Sequence, residues 1–519
     1  MGRIAIFALL FPCIVIGTAF AGLDEGRDAL EKGDYATALI ELQPLADQGN
    51  PAAQVLLGGM YLAGRGTPQD EQQALAWFRK AATQGDATAQ NNLGVMYQGG
   101  RGGLPQDDGQ AAEWIRKSAE QGYATAQDNL GNMYLSGRGV PQDDRQAVAW
   151  YRKAAEQGFA AGQGDLGIMY FIGRGGLPQD DKQAVAWYRK AAEQGNAGAQ
   201  HNLGFMYFNG GGVSQDDKLA VEWYRKAAEQ GYAPAQYNLG NMYLSGRGLP
   251  QDDIQAIAWY REAAAQGVAA SQNNLGFMYQ HGRGTPQDDK QAVEWFRKAA
   301  EQGIADAQSN LGFMYLNGHG VAQDYAEALK WIRKAADQGN ATAQFYLGEM
   351  YADGHGVSQG YAEALKWYLN AADKGNANAQ TNLGAMYDNG HGVAQDYAEA
   401  LKWTRKAADQ GNATAQLNLG EMYADGHGVP QGYAEALKWY RKAADQGNAH
   451  AQLNLGKMYV NGQGVAQDYV QAYILFNLAA EHFLASQTEL IAEAVKNRDN
   501  VATKMTPTQI AEAQRRAGD

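Results

Sequence analysis

The sequence predicts an all-α protein, a solenoid of tandem helix-turn-helix repeats, from three periodic signals. A Leu-Gly pair recurs at intervals of 36 residues, apart from two intervals of 37. A Met-Tyr pair begins three residues after each of these leucines, and all 11 tryptophans occupy one later position of the unit. Residues fixed at one helical phase are typical of a core rather than of a cofactor site. The leucines of the pairs are Leu57, Leu93, Leu130, Leu166, Leu203, Leu239, Leu275, Leu311, Leu347, Leu383, Leu419 and Leu455.

The first helix of each unit, here called helix A, is predicted from apolar residues at helical spacing. In the unit that begins at Ala87, the residues Ala89, Leu93 and Met96 are spaced i, i+4 and i+7 and therefore share one face. Gly94 destabilises such a helix by about 1 kcal/mol relative to Ala. Because this glycine recurs in every copy, we predict that a neighbouring helix approaches closely at that point.

A second helix, helix B, follows a glycine-rich turn. In one unit the turn covers residues 136–139, and Pro141 comes shortly after it. Asp143 precedes Gln146 by three residues, which is the spacing of an N-terminal capping box. One such hairpin cannot bury its apolar face alone, so stacking on the neighbouring repeats is expected to complete the core.

The repeat pattern divides the chain into four parts. We assign residues 1–21 to a signal peptide and residues 22–50 to a degenerate N-terminal capping repeat. Residues 51–484 are assigned to twelve tandem repeats, and residues 485–519 to a C-terminal helical cap. The terminal assignments rest on the need of a repeat stack to cover its two ends.

The first residues have the composition of a secretory signal. Arg3 precedes the apolar run 4–16, and Ala19 and Ala21 provide a small-x-small cleavage site. The run is shorter than the roughly 20 residues of a bilayer span, and no later segment qualifies as a span either. The mature chain is therefore expected to be exported, either periplasmic or secreted, and not integral to the membrane. Cys13, the only cysteine, lies inside the signal, so no disulfide is expected.

The charge balance argues against nucleic acid as a partner. The chain has 43 Lys and Arg against 56 Asp and Glu, a formal net charge of −13, and the two signs are interleaved. Binding to phosphate backbones requires a basic face, which this sequence does not provide.

The histidines and the Asp-Asp pairs, residue types that often bind metals or act in catalysis, have a structural explanation in the repeat. His319, His355, His391 and His427 occupy one turn position, 36 residues apart. Packed helices lie about 8–10 Å apart, so adjacent copies are too distant to share a metal ion. The Asp-Asp pairs stand at predicted helix N-termini, where capping accounts for them. We therefore expect no catalytic, cofactor-binding or metal-binding residues.

The repeat motif A-x-A-Q-x-x-L-G-x-M-Y, a glycine turn and then A-x-x-W-[YF]-R-K-A-A resembles the Sel1-like repeat family, which is related to the tetratricopeptide repeat. Residues 124–134 and 147–155 match it closely, and the resemblance covers about 22–485. It implies a right-handed α/α superhelix in which helix A lines the concave surface. It also implies a role as an adaptor or scaffold, and no particular partner.

Candidate partner-binding residues lie on the stripe of helix A opposite its core face. This stripe is aromatic in the middle of the chain, and exposed aromatic clusters mark partner surfaces. The alternative is that these side chains fill gaps between adjacent helices A. The candidates are His201, Phe205, Phe208, Tyr237, Asn241, Phe277, Phe313, Phe345 and Glu349.

These observations favour an exported repeat scaffold that binds a protein, a peptide or a glycan through helix A, in envelope signalling, assembly or host interaction. Two alternatives stay open. One is a hydrolase acting on cell wall or β-lactams, a reading weakened by the absence of cysteine from the mature chain. The other is a mechanical spacer in an envelope complex, in which changes to the helix A stripe would have no effect.

Overall fold

The computed structural model describes residues 22–518, so the predicted signal peptide, 1–21, lies outside the described part. The chain divides into two compact units, the first extending to Ala263 and the second beginning at Ala264. Every regular element among the described residues is a helix, which confirms the all-α prediction. Within residues 22–518 no helix combines the length and apolar character needed to cross a bilayer.

The first unit begins with a hairpin and continues with alternating helices A and B. Residues 22–31 form α1, and α14 (Asp253–Ala265) contains the boundary between the units. Helices A have odd numbers from α3 onward, and helices B have even numbers. The others are α2 (Tyr35–Asp47), α3 (Pro51–Ala63), α4 (Glu71–Thr83), α5 (Ala87–Gly99), α6 (Asp108–Glu120), α7 (Ala124–Ser136), α8 (Asp144–Glu156), α9 (Ala160–Ile172), α10 (Asp181–Glu193), α11 (Ala197–Asn209), α12 (Asp217–Glu229) and α13 (Ala233–Ser245).

The second unit keeps the alternation through α26 and ends with two further helices. These two, α27 and α28, occupy the segment predicted to form the C-terminal cap. The elements are α15 (Ala269–His281), α16 (Asp289–Glu301), α17 (Ala305–Asn317), α18 (Tyr325–Asp337), α19 (Ala341–Asp353), α20 (Tyr361–Asp373), α21 (Ala377–Asn389), α22 (Tyr397–Asp409), α23 (Ala413–Asp425), α24 (Tyr433–Asp445), α25 (Ala449–Asn461), α26 (Tyr469–His482), α27 (Thr488–Ala502) and α28 (Pro507–Gly518).

The repeated glycine of helix A makes room for a side chain of helix B. A Cβ atom added at Gly131 would lie 2.6 Å from Cε1 of Tyr151, closer than real Cβ contacts allow. Tyr151 is fully buried in one cluster with Leu166 and Met169. The predicted close approach is thus confirmed, and the ring it admits offsets the low helix propensity of glycine.

A buried glutamine of helix A joins each repeat to the next. The Gln90 side chain donates through Nε2 to the carbonyl of Ala82, at 3.3 Å. Its Oε1 accepts from Nε2 of Gln121, at the end of the following helix B, at 2.8 Å. A buried amide with both ends satisfied favours one register of stacking, which explains why this residue is constant among the copies.

Helix B begins with a capping aspartate, as predicted. Asp143 Oδ1 accepts from the backbone N–H groups of Arg145 and Gln146, at 2.9 and 3.1 Å. The second aspartate of the pair has a different role, which the capping interpretation missed. Asp144 begins α8 and forms an ion pair with Arg174 in the next turn, at 2.6 Å.

This second contact defines a turn clamp, the pair formed by the first residue of a helix B and the turn residue 30 positions later. In the first unit most clamps are ion pairs, because the turn residue is Arg. Arg138 binds Asp108 at 2.9 Å, and Arg247 binds Asp217 at 2.7 Å. The glycine-rich turn is thereby held on the preceding repeat.

In the second unit the turn clamps of three successive repeats are aromatic. His355 stacks on Tyr325 with ring centroids 4.6 Å apart and an interplanar angle of 3°. His391 and His427 stack in the same way on the first tyrosine of the preceding helix B. The histidines predicted to be turn residues therefore have a packing role that their spacing did not reveal.

Candidate functional site

The stripe predicted on helix A contains three positions that differ in burial. The position equivalent to Asn91 packs against neighbouring helices, and the position equivalent to Val95 faces solvent. Asn91 is buried, whereas Val95 is exposed. The first position is here called the inner position and the second the outer position. The third position, equivalent to Gln98, is half-buried. Each candidate is judged by the position that it occupies.

His201 holds the inner position of α11 and is enclosed by its neighbours. Its ring centroid lies 5.6 Å from that of Tyr224 and 5.4 Å from that of Tyr232. Its Nε2 is 2.9 Å from Nδ2 of Asn238. Burial lowers the pKa of His201, so the neutral ring is favoured. These contacts make His201 part of the stacking between repeats.

Tyr237 and Phe345 hold the same inner position and pack in a similar way. The Tyr237 ring centroid is 6.2 Å from that of Tyr260. Phe345 is only 8% exposed and lies between Tyr346 and Tyr368, at 5.5 and 6.0 Å. Phe345 therefore offers a partner almost no surface, and Tyr237 is half-buried.

In three repeats of the first unit the outer position carries an apolar side chain that faces solvent. Phe205 is 41% exposed, and Val95 and Ile168 at the same position are also exposed. Phe171 supports Phe205 edge to face, with ring centroids 6.1 Å apart. Exposed apolar side chains held on rigid helices are typical of partner surfaces.

Two further candidates of the first unit lie on the same stripe, Phe208 at the third position of α11 and Asn241 at the outer position of α13. Phe208 is half-buried, and the guanidinium carbon of Arg247 lies 4.0 Å from its ring centroid, a cation–π contact. Asn241, also half-buried, accepts a hydrogen bond from the hydroxyl of Tyr260 at 2.6 Å. Both side chains have partners within the repeat stack.

In the second unit the outer position changes from aromatic to acidic. Phe277 is 39% exposed, and Phe313 is half-buried with its ring 5.3 Å from that of Tyr346. Glu349 follows, and desolvation together with the charge of Asp353 raises its pKa to about 7. Exposed or half-buried phenylalanine thus occurs at the outer position in both units, whereas a carboxyl group occurs there only in the second.

Sequence reasoning missed a buried pair of acids in the first unit. Asp128 holds the inner position of α7, and its carboxyl group is hydrogen-bonded to that of Asp165 on α9. Burial first, and the charge of Asp165 second, raise the pKa of Asp128 to about 7. At the equivalent place one repeat earlier, Asn129 donates to Asn91 at 2.9 Å. That amide pair was the available signal, since aspartates in its place have to share a proton.

Comparison with known proteins identifies the repeat. A family model described as Sel1 repeat matches twelve consecutive segments: 51–86, 87–123, 124–159, 160–196, 197–232, 233–268, 269–304, 305–340, 341–376, 377–412, 413–448 and 449–482. No curated protein sequence matches the chain.

Two solved structures are similar to the chain. One is a protective antigen present in uropathogenic Escherichia coli strains and displaying an SLR fold. It is 40% identical with a TM-score of 0.73, and the match covers 85% of this chain and 92% of that one. The other, a Sel1 repeat protein from Oxalobacter formigenes, is 34% identical with a TM-score of 0.44 and covers 64% of this chain and 93% of its own.

Proposed function

The chain belongs to the Sel1 repeat family, and from that premise we propose that it is an exported, non-catalytic scaffold that holds a protein partner against its helices A. The observation that carries the proposal is the exposure of Phe205 and Phe277 at the outer position. The flanking Leu, Gly and Met residues are constant among the copies, while the outer residue varies. Constant residues build the stack, and a variable exposed residue is free to specify a partner.

A capture experiment tests this function. Tagged protein is used to isolate partners from the native envelope or medium, and capture is then measured for Phe205→Ala and Phe277→Ala. We expect each substitution to weaken capture by about tenfold, since an aromatic anchor contributes 1–2 kcal/mol or more. Ile40→Ala, which removes an exposed apolar side chain from α2, serves as the control.

The outcomes separate binding from packing. Weakened capture with an unchanged melting temperature supports the proposal. Unchanged capture with a lowered melting temperature contradicts it and favours a packing role for these rings. Capture that is abolished by a glycosidase would assign the surface to a glycan instead of a protein.

The export half of the proposal rests on residues 1–21 alone. We expect the protein recovered from expressing cells to begin at Gly22 and to fractionate with the periplasm or the medium. Intact-mass measurement of both fractions checks this. Uncleaved protein confined to the cytoplasm would overturn export and leave the scaffold role intact.

The hydrolase alternative has little support. The matched family model and the two similar structures carry no enzyme name. Turnover of a β-lactam or of cell-wall fragments by purified protein would nevertheless revive it.

A further inference from the structure

One repeat of the second unit lacks the ring that fills the same place in its neighbours. Thr404 stands on α22 at the position of Tyr368 in α20 and Tyr440 in α24. In those repeats the tyrosine ring packs on the helix A glycine, within 2.6 Å of a Cβ added at Gly348 or Gly420. Thr404 is buried on the glycine of its own repeat, Gly384, but its short side chain does not occupy the volume that the tyrosine ring takes up in those repeats.

A second small residue enlarges the gap. Ala385 holds the outer position of α21, where the neighbouring repeats have Glu349 and Glu421. Together with Thr404 and Gly384 it lines a hollow of about 350 Å³ that is open to solvent on one side. This volume lies within the range of sites that hold small organic groups.

The remaining wall of the hollow is acidic. Asp388 stands where most other repeats have Leu, Phe, Ala or Val. Its Oδ1 atom is buried and has no hydrogen-bond partner, although the Asp388 side chain as a whole is 34% exposed. Nδ1 of His427, a ring that is charged only when protonated, lies 3.8 Å from this oxygen. Glu421 and Asp425 are the other acids of the lining, which also contains the neutral residues Asn389, Asn418 and Met422.

The acids lie close enough together to affect one another. Partial desolvation raises the pKa of the Glu421 carboxyl, opposed by a hydrogen bond from Asn454, and the charges of Asp425 and Asp388 add to the rise. Within residues 22–518 no group of His, Asp and Glu side chains has the geometry to hold a metal ion. A cation entering the hollow would relieve this repulsion and supply a partner for Asp388.

We propose that this hollow, here called the acidic hollow, receives a basic side chain, arginine or lysine, of the protein that the scaffold binds. The inference rests on the proposed function, because Asp388 and Glu421 belong to the helices A that are assigned to partner binding. Charge complementarity selects the occupant, since a partly desolvated carboxylate cluster favours a guanidinium or ammonium group over a neutral or anionic one.

Saturation-transfer NMR on the full chain tests the proposal with small probes. The probes are N-acetyl-arginine amide and N-acetyl-lysine amide, with N-acetyl-citrulline amide as a neutral control of the same shape. We expect transfer to the basic probes and little to citrulline, because its neutral ureido group can donate hydrogen bonds to Asp388 but is not attracted by the charge of the carboxylates. Spermidine as a competitor distinguishes a site for side chains from one for free polyamines: it should displace the probes only weakly.

Two variants locate the binding. Thr404→Tyr restores the residue of the neighbouring repeats and fills the hollow, and Asp388→Asn removes its unpaired charge. We expect either change to reduce transfer by about tenfold, the scale seen when one member of a desolvated charge pair is lost. Asp409→Asn is the control. It removes one negative charge from an exposed site on α22, the helix that carries Thr404, and should leave transfer unchanged.

Thr404→Tyr should fold at least as well as the wild type, because the ring replaces empty space. Thermal unfolding checks this. Equal transfer to arginine and citrulline, or transfer that survives Thr404→Tyr, would overturn the inference, as would no transfer at all. Partner capture that depends on Phe205 or Phe277 but not on Thr404 would contradict this inference and leave the proposed function standing.

Discussion

The two units share an interior but differ at their turns and on the outer positions of their helices A. In the first unit Arg138 pairs with Asp108, whereas in the second His391 stacks on Tyr361 at the equivalent place. The outer position is apolar at Phe205 and acidic at Glu421. A repeat fold therefore fixes the positions that fill the core, and it lets a charged contact be exchanged for an aromatic one at the turn clamp.

The shared interior predicts the largest effect, and the same effect in both units. Gly131→Val and Gly348→Val place a branched side chain against Tyr151 and Tyr368, whose rings lie 2.6 Å from an added Cβ. We expect each to reduce the free energy of unfolding by about 3 kcal/mol. Hydrogen exchange of the surrounding helices measures the loss in each unit separately.

Gly59→Val is the matched control for this pair. Gly59 lies on helix A of the first repeat, and an added Cβ there meets nothing within 4 Å. We expect a change well below 1 kcal/mol. A loss in only one unit would show that the two interiors are not equivalent.

The buried acid pair predicts a pH dependence specific to the first unit. The pKa of Asp128 rises from 3.8 to about 7 on folding, so the folded state keeps a proton that the unfolded chain has released. The contribution of this proton to the free energy of unfolding is therefore largest below pH 4, and it is lost as the pH rises towards 7. We expect Asp128→Asn to stabilise the protein at pH 8 by about 1–3 kcal/mol and to flatten this profile.

Urea unfolding at several pH values measures the effect. Glu120→Gln, an exposed carboxyl in the same unit, should leave the profile as it is in the wild type. A wild-type protein more stable at pH 8 than at pH 5, with a gain abolished by Asp128→Asn, would contradict the assigned sign.

One turn clamp of the first unit lacks its cation. Gly211 stands where the other turns have Arg, His or, in the last repeat, Gln, and Oδ1 of Asp181 is buried without a hydrogen-bond partner. We expect Gly211→Arg to complete the ion pair and stabilise the unit by about 0.5–1 kcal/mol. The gain should disappear when Asp181→Asn is added, and a gain that persists would show that it does not come from the clamp.

The smallest effect distinguishes the two kinds of turn clamp directly. Arg138→Gln should lower stability by less than about 1 kcal/mol, because both partners are partly exposed. That loss should vanish in about 1 M salt, which screens exposed charges. The loss from His391→Gln should persist in salt, since stacking does not depend on charge. Thermal unfolding at two salt concentrations compares the two losses. Equal salt responses of the two variants would contradict the distinction between charged and aromatic turn clamps.

Much of the fold could be predicted from the sequence because each repeat states the same pattern again. The Leu-Gly and Met-Tyr pairs predicted the helices and the close approach at Gly131. The partner of each turn residue was harder to see, although the exchange of Arg with Asp for His with Tyr, always 30 residues apart, was a signal within the chain. The turn clamp was not predicted, because capping alone accounts for the aspartates.

The candidate site was predicted less completely. Inner and outer positions lie on one stripe, so helical spacing does not separate Phe345, which is buried, from Phe205, which is exposed. Their burial depends on how closely the next repeat packs. The acidic hollow needs Thr404, Ala385 and Asp388 together, residues on two helices whose proximity only the structure provides.

Side-chain footprinting of the captured complex tests the central claim most directly. Hydroxyl-radical oxidation is measured with and without partner at Phe205 and Phe277, and at Ile40 and Ile254, which are exposed away from the outer positions. We expect the partner to protect at least one of the two phenylalanines and to leave both isoleucines as reactive as before. Protection of the isoleucines with unchanged phenylalanines would contradict binding through the helices A.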